Sequence, residues 1–294
     1  MNNEIMHIHV QSANCMCVKL AAGSINISPY YSILSSQKQS KTKPNTMKTQ
    51  HSFSRYFSLF LLFLAITTTL VSPSHGALGK CNPSDYKGLM NIKKSLHNPY
   101  ELTSWKPNTD CCEWYVVKCD IKTNRIKEFS LFQGVGGLSG QISSSIGDLP
   151  YLETIIFRSF KNVTGPIPQS VTKLKHLTML ELSHLSLSGP VPNFLNQLTN
   201  LNYLDLSANQ LEFDLAKVKF PKSLTWLDLS DNKIFGTIPE EMKGLDLHML
   251  NVSYNNLCGK IPYGGKMQSF QNTAYFHNKC LCGPPMTGCK KLNA

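Results

Sequence analysis

A short frame recurs six times along the 294-residue chain. It has the form Leu-x-x-Leu-x-Leu-x-x-Asn-x-Leu-x-Gly-x-Ile-Pro, and its first positions are Ile126, Leu152, Leu177, Leu201, Leu224 and Leu247, spaced by 26, 25, 24, 23 and 23 residues. A unit this short cannot bury its own apolar side. It must stack on neighbours that continue its core, so the chain is constrained to a repeat array rather than an ordinary α/β domain.

Each position of the frame has a physical job. In Leu224-Thr225-Trp226-Leu227-Asp228-Leu229 the alternation predicts a short strand. Leu227 and Leu229 point into the core, and Trp226, Asp228 and Ser230 face out. Asn232 follows, where its amide can bond backbone groups of the turn and of the neighbouring coil. The second half reads Gly165-Pro166-Ile167-Pro168, Gly189-Pro190-Val191-Pro192, Gly236-Thr237-Ile238-Pro239 and Gly259-Lys260-Ile261-Pro262, with a weaker Gly140-Gln141-Ile142-Ser143. Glycine permits the turn, the branched residue fills the core, and proline stops a regular helix. A unit of this pattern is a leucine-rich repeat.

A stack of this kind needs special end units, and cysteines mark them. The chain has ten Cys, with none between Cys119 and Cys258. Cys81, Cys111, Cys112 and Cys119 surround the segment 84–96, whose Leu89, Met90, Ile92 and Leu96 suit a helix; Cys258, Cys280, Cys282 and Cys289 stand at the other end. Such bunching points to crosslinks in an oxidising compartment, although eight cysteines admit 105 pairings. Export and the even count also weigh against a zinc site at His277, Cys280 and Cys282. The expected fold is therefore an α/β repeat: a right-handed leucine-rich-repeat solenoid with a parallel β-sheet on its concave face and disulfide-closed N- and C-terminal caps.

The secretory signal that such crosslinks require is present, but not at residue 1. An apolar run over 56–66 follows Lys48 and Arg55 and precedes Ser74-His75-Gly76, which reads as a signal peptide starting at Met47. It falls short of the ~20 apolar residues that span a bilayer. The expected organisation is a doubtful or disordered extension over 1–46, a signal peptide over 47–76, an N-terminal cap over 77–125, about six repeats over 126–262 and a C-terminal cap over 263–294. From Ala77 onward 23 Lys and Arg stand against 17 Asp and Glu, a net +6 compared with +11 for the whole chain. A basic exported chain favours acidic wall polysaccharides as long-range partners. Nucleic acid is excluded by export and by the lack of a basic run.

The segments Cys81-Asn82-Pro83, Asp110-Cys111-Cys112-Glu113-Trp114-Tyr115, Thr123-Asn124-Arg125-Ile126, 147–154, Asn251-Val252-Ser253-Tyr254-Asn255 and 275–283 are more specific than the frame. Through them the chain resembles the plant polygalacturonase-inhibiting proteins, wall proteins that bind and inhibit endopolygalacturonases of fungi and insects. The resemblance runs from the signal to the C-terminus. It departs in one respect: the family has about ten repeats, and about four central ones are absent here. The resemblance implies the pairs Cys81–Cys111, Cys112–Cys119, Cys258–Cys280 and Cys282–Cys289. It also implies a secreted enzyme as partner, held by the concave face.

Outward strand positions by the alternation are Lys127, Ser130, Glu153, Ile156, Arg158, Thr178, Glu181, Ser183, His184, Tyr203, Asp205, Ser207, Trp226, Asp228, Ser230, His248, Asn251 and Ser253. Of these, Arg158, Glu181, His184, Tyr203, Asp205, Trp226 and Asp228 are the expected partner-binding residues, with Arg158, His184, Tyr203 and Trp226 foremost because aromatics and Arg dominate interface energetics. Glycan acceptors are expected at Asn162, placed in a turn, and at Asn251, on the binding face.

No nucleophile elbow, phosphate-binding Gly loop or His-Glu-x-x-His motif occurs, so neither catalysis, a cofactor nor a metal is expected. Two alternatives stand beside the inhibitor. One is a module that holds de-esterified pectin through Lys127, Arg158, Lys173 and Lys175, and the other is a folded but inactive short copy. A receptor ectodomain is a weaker expectation, since no membrane-spanning run follows the repeats.

Overall fold

The computed structural model describes residues 81–132, 137–191 and 195–289. The expected extension and signal peptide lie outside them. Among the described residues no helix is long and apolar enough to cross a membrane.

Seven strands form one sheet: Val117–Cys119, Ile126–Leu131, Thr154–Arg158, Met179–Ser183, Tyr203–Asp205, Trp226–Asp228 and Met249–Asn251. The last six are parallel, one from each repeat, whereas Val117–Cys119 joins antiparallel and closes the N-terminal edge. Leu227 and Leu229 are buried as the alternation requires, together with Leu180, Leu182, Leu204 and Leu206 of neighbouring strands. They form one continuous core along the stack.

The asparagine of the frame ties each repeat to the one before it. The Asn232 amide nitrogen donates to the carbonyls of Leu206, Leu229 and Ser230, while its Oδ1 accepts the Leu211 N–H at 3.0 Å. Asn209, Asn255 and Asn278 make equivalent bonds. Phe160 and Leu185 hold that position in earlier repeats, where the spine is apolar and buried.

A second layer of strands follows the turn, which the alternation did not indicate. It comprises a four-stranded sheet (Ser139–Gln141, Asn162–Gly165, Ser186–Gly189, Gln210–Leu211) and a three-stranded one (Phe235–Gly236, Asn256–Lys260, Cys280–Cys282). Short 3-10 turns then return the chain to the next strand. Gly236 shows why the frame needs glycine: its φ is +84°, and a Cβ there would lie 2.0 Å from Asp214 Oδ1. In the fourth repeat Phe213 occupies the glycine position and Ala216 the proline position. There the second layer breaks: among the described residues an isolated bridge, Asp214 to Phe235, spans the gap, with the Lys233 and Phe235 N–H groups donating to the carbonyls of Leu211 and Phe213 at 2.9 and 3.0 Å.

The N-terminal cap contains the helix Pro83–Ser95, capped by the Asn82 side chain, which accepts from the Ser84 N–H at 3.0 Å. Its Leu89 and Ile92 are buried. Trp105 stacks on Trp114 at 5.2 Å and meets Phe129, which meets Phe157 edge-on at 5.1 Å, so the cap shares an aromatic core with the first repeats. Asp85, 1% exposed, binds Arg125 in two places and accepts the Ile126 N–H. Disulfides join Cys81 to Cys111, Cys112 to Cys119, Cys258 to Cys280 and Cys282 to Cys289, the four pairs that the resemblance implies. By restricting the unfolded chain, each contributes about 2–4 kcal/mol.

Candidate functional site

Parallel register turns the outer surface of the seven-stranded sheet into rows. One row runs Thr154, Met179, Tyr203, Trp226, Met249, and the next runs Ile156, Glu181, Asp205, Asp228, Asn251. The first is apolar at its centre: Tyr203 and Trp226 stack with ring centres 5.3 Å apart and planes 17° from parallel. Trp226 is 38% exposed, a large aromatic left facing solvent. The second row carries three carboxylates on three adjacent strands.

These charges are not equally matched. Glu128 pairs with Lys118 at 2.7 Å, and Glu153 with Lys127 at 3.1 Å. Glu181 pairs with Arg158 through two guanidinium nitrogens, Nε donating to Oε1 and Nη2 to Oε2, the latter at 2.7 Å. Asp205 and Asp228 have no cation within 4.0 Å among the described residues. The centre of the face is thus acidic in a basic chain.

Burial raises the Asp205 pKa above 3.8, helped by the like charges of Asp228 and Glu181 and opposed by the Ser207 hydrogen bonds. Burial and Asp205 likewise push the Tyr203 hydroxyl up to about 12. A carboxyl whose folded pKa is raised stabilises the fold while protonated and loses that contribution as pH rises through the folded value. Asp205→Asn is therefore expected to raise stability at pH 7 by about 0.5–2 kcal/mol and to change nothing near pH 3. Urea titrations of both proteins at the two pH values check this; an unchanged or lowered midpoint at pH 7 would contradict it.

Several expected outward residues are placed otherwise. Glu181 is only 2% exposed, because Arg158 reaches across from the next strand and covers it, so Glu181 holds Arg158 rather than meeting solvent. Ser130, Ser183, Ser207 and Ser253 are also buried. Each acts locally with the acidic or amide residue two positions earlier: Ser253 N–H and Oγ donate to Asn251 Oδ1 at 3.1 and 2.7 Å, and Ser207 N–H donates to Asp205 Oδ1 at 2.9 Å. The recurring Glu/Asp/Asn-x-Ser spacing was the sequence signal for this.

His184 lies one residue past its strand, at φ +54° and exposed. It belongs to a rim column with Ala208, Asp231, Tyr254 and His277, all left-handed. Met179 and Met249, not Thr178 and His248, fill the row of Tyr203 and Trp226. The Thr178 hydroxyl donates to the Glu153 carbonyl. Arg158, Tyr203, Asp205, Trp226 and Asp228 do share the outer surface, whereas Lys173 and Lys175 lie on or beside a 3-10 turn, off the sheet. Asn162 begins a strand of the second layer instead of a turn, and is exposed.

Comparison with known proteins gives this geometry its context. The leucine rich repeat N-terminal domain matches residues 82–120 and the Leucine Rich Repeat matches 223–245. Among solved structures, a pollen receptor kinase 3 is similar with a TM-score of 0.54 and 30% identity, covering 67% of this chain and 96% of that one. The BIR2 ectodomain from Arabidopsis thaliana is similar with a TM-score of 0.50 and 26% identity, covering 72% and 100%. The polygalacturonase inhibitor of Pyrus communis is 39% identical, covering 81% of this chain and 99% of its own length.

That of Vitis vinifera is 41% identical over 330 positions, covering 79% of this chain and 98% of its own length. Since 79% of 294 residues is about 232, roughly 98 of those 330 positions lack a counterpart here, the length of about four repeats. On these identities, which span nearly the whole of each relative, the chain belongs to the polygalacturonase inhibitor family of leucine-rich-repeat proteins, with a shortened array.

Proposed function

We propose that the protein is a secreted cell-wall defence protein that binds and inhibits microbial or insect endopolygalacturonases, without turnover, through its concave sheet. One observation carries the reading: a stacked Tyr203–Trp226 pair, open to solvent at Trp226, lies beside two carboxylates, Asp205 and Asp228, that form no ion pair among the described residues. Family membership supports the partner class. The chemistry of the face favours an enzyme surface with basic side chains, whose cations would meet Asp205 and Asp228 while their apolar stems cover the rings. Arg158, His184 on the rim, and Met249 complete the patch; Glu181 acts by fixing Arg158.

Pectin binding has less support, since Lys127 and Arg158 are already paired and Lys173 and Lys175 lie elsewhere. The deciding experiment is inhibition of a panel of fungal endopolygalacturonases by protein expressed from Met47, at low and high salt, with pull-down of each enzyme. Dose-dependent inhibition is expected. Neither inhibition nor binding by a folded, disulfide-intact sample would leave the inactive-copy reading.

One N-glycan is expected, at Asn162, where the sequon side chains Asn162 and Thr164 are both exposed. At Asn251 the amide is engaged by Asp228 and by Ser253, whose side chain is buried. Removal of the glycan should shift the secreted protein on a gel, and Asn162→Gln should abolish that shift while Asn251→Gln leaves it intact. A second glycan at Asn251 would sink this assignment and would obstruct the binding face.

A further inference from the structure

The break in the second layer leaves a cavity of about 560 Å³, lined by residues 216–220 and by Pro239, Glu241, Met242 and Leu245. It exists because the fourth repeat has no Gly-x-Ile-Pro turn. Its chain passes from the 3-10 turn Leu215–Lys217 through Val218 and Phe220 to a tight turn, where Leu224 N–H donates to Pro221 C=O at 3.1 Å, and the 3-10 turn of the following repeat, Glu240–Gly244, supplies the facing wall. None of the lining residues belongs to the seven-stranded sheet, so the cavity is separate from the concave face.

Its floor is apolar and only partly covered. Val218 and Met242 are buried, while Phe220 and Leu245 pack on the core yet remain half-exposed. Two ammonium groups, Lys217 and Lys219, and one carboxylate, Glu241, line it. Lys217 lies 3.6 Å from Asp214, whereas Lys219 has no carboxylate within 4.0 Å among the described residues. Sites of this size that hold small molecules combine an apolar lining with a few placed polar groups. Here two ammonium groups stand against one carboxylate, so the lining is net cationic and favours an anionic ligand.

We propose that this cavity binds a small amphipathic carboxylate, its apolar body against Phe220, Met242 and Leu245 and its carboxylate on Lys219, with Lys217 in support. Glu241 opposes the ligand charge and sets an upper limit on affinity. The site is independent of enzyme inhibition.

The test uses decanoate as probe and decan-1-ol as its neutral counterpart, titrated calorimetrically into the intact protein. Decanoate is expected to bind at least tenfold more tightly than the alcohol. Lys219→Glu should remove that preference, Glu241→Gln should tighten decanoate several-fold, and Ala216→Trp, an exposed change at the cavity mouth, should block both probes. Each variant should retain the parent's thermal midpoint and concave-face behaviour. Absence of decanoate binding, equal binding of acid and alcohol, or binding unaffected by Lys219→Glu and Ala216→Trp would each overturn the proposal.

Discussion

Asn255→Ala is expected to destabilise the protein by about 2–3 kcal/mol. Asn255 is 7% exposed and serves two repeats at once. Its Oδ1 accepts the Ile234 N–H at 3.0 Å, and its amide nitrogen donates to the carbonyls of Leu229 at 2.8 Å, Ser253 at 3.1 Å and Val252 at 3.3 Å. Alanine leaves the Ile234 N–H without its acceptor, whereas the carbonyls keep a second donor each: Asn232 for Leu229, Asn278 for Val252 and the Asp231 N–H for Ser253. A buried group left unsatisfied costs about 1–3 kcal/mol, and here that group is the Ile234 N–H of the preceding repeat.

Asn209→Ala, at a half-exposed site, should cost less than Asn255→Ala because solvent can replace part of its bonding. Urea unfolding followed by circular dichroism gives both numbers. A cost below about 1 kcal/mol at Asn255 would mean that the Ile234 N–H finds another acceptor and that the ladder does not hold the stack together.

The frame made most of the fold legible because each of its positions answers to a local rule. Period-2 alternation places Leu227 and Leu229, the asparagine follows the strand, and Gly236 needs a left-handed φ. Those facts depend on the unit itself. What the sequence left unread depends on neighbours. Glu181 looks outward by alternation, yet its burial is decided by Arg158, which is 23 residues away in sequence and one strand away in space.

Met179 and Met249 differ from Glu181: they are third in their frame units, as Tyr203 and Trp226 are, so the frame spacing and the register place them in one row, whereas Glu181 needed its spatial neighbour. The Asp85–Arg125 pair is of the same kind: 40 residues separate its members, and neither lies in a repeat signal. The break in the second layer was partly visible, as Phe213 and Ala216 in place of glycine and proline, but the cavity it opens depends on how two turns pack.

Trp226→Ala is expected to weaken binding of a target endopolygalacturonase by about 30- to 1,000-fold, corresponding to ~2–4 kcal/mol. The reason lies in what the free protein leaves uncovered. Trp226 rests on Tyr203 at 5.3 Å and neighbours Met249 in register, so a partner that covers it buries one continuous apolar surface with no side chain to rearrange. A rigid, pre-ordered aromatic loses little conformational entropy on binding, which is why such residues dominate interfaces.

Because Trp226 is exposed in the free protein, its removal should cost the fold under about 1 kcal/mol, and circular dichroism separates lost affinity from lost structure. The chain has three Trp, and the other two, Trp105 and Trp114, are buried in the N-terminal cap. Enzyme binding should therefore change tryptophan emission in the parent and not in Trp226→Ala. Asp228→Asn, by contrast, should weaken binding modestly and flatten its salt dependence, since it removes charge while keeping shape. A folded Trp226→Ala protein that inhibits as well as the parent would exclude the concave aromatic row as the contact. The contact would then have to be sought on the rim at His184, Asp231 and Tyr254, which share one side of the same sheet and lie exposed without belonging to its rows.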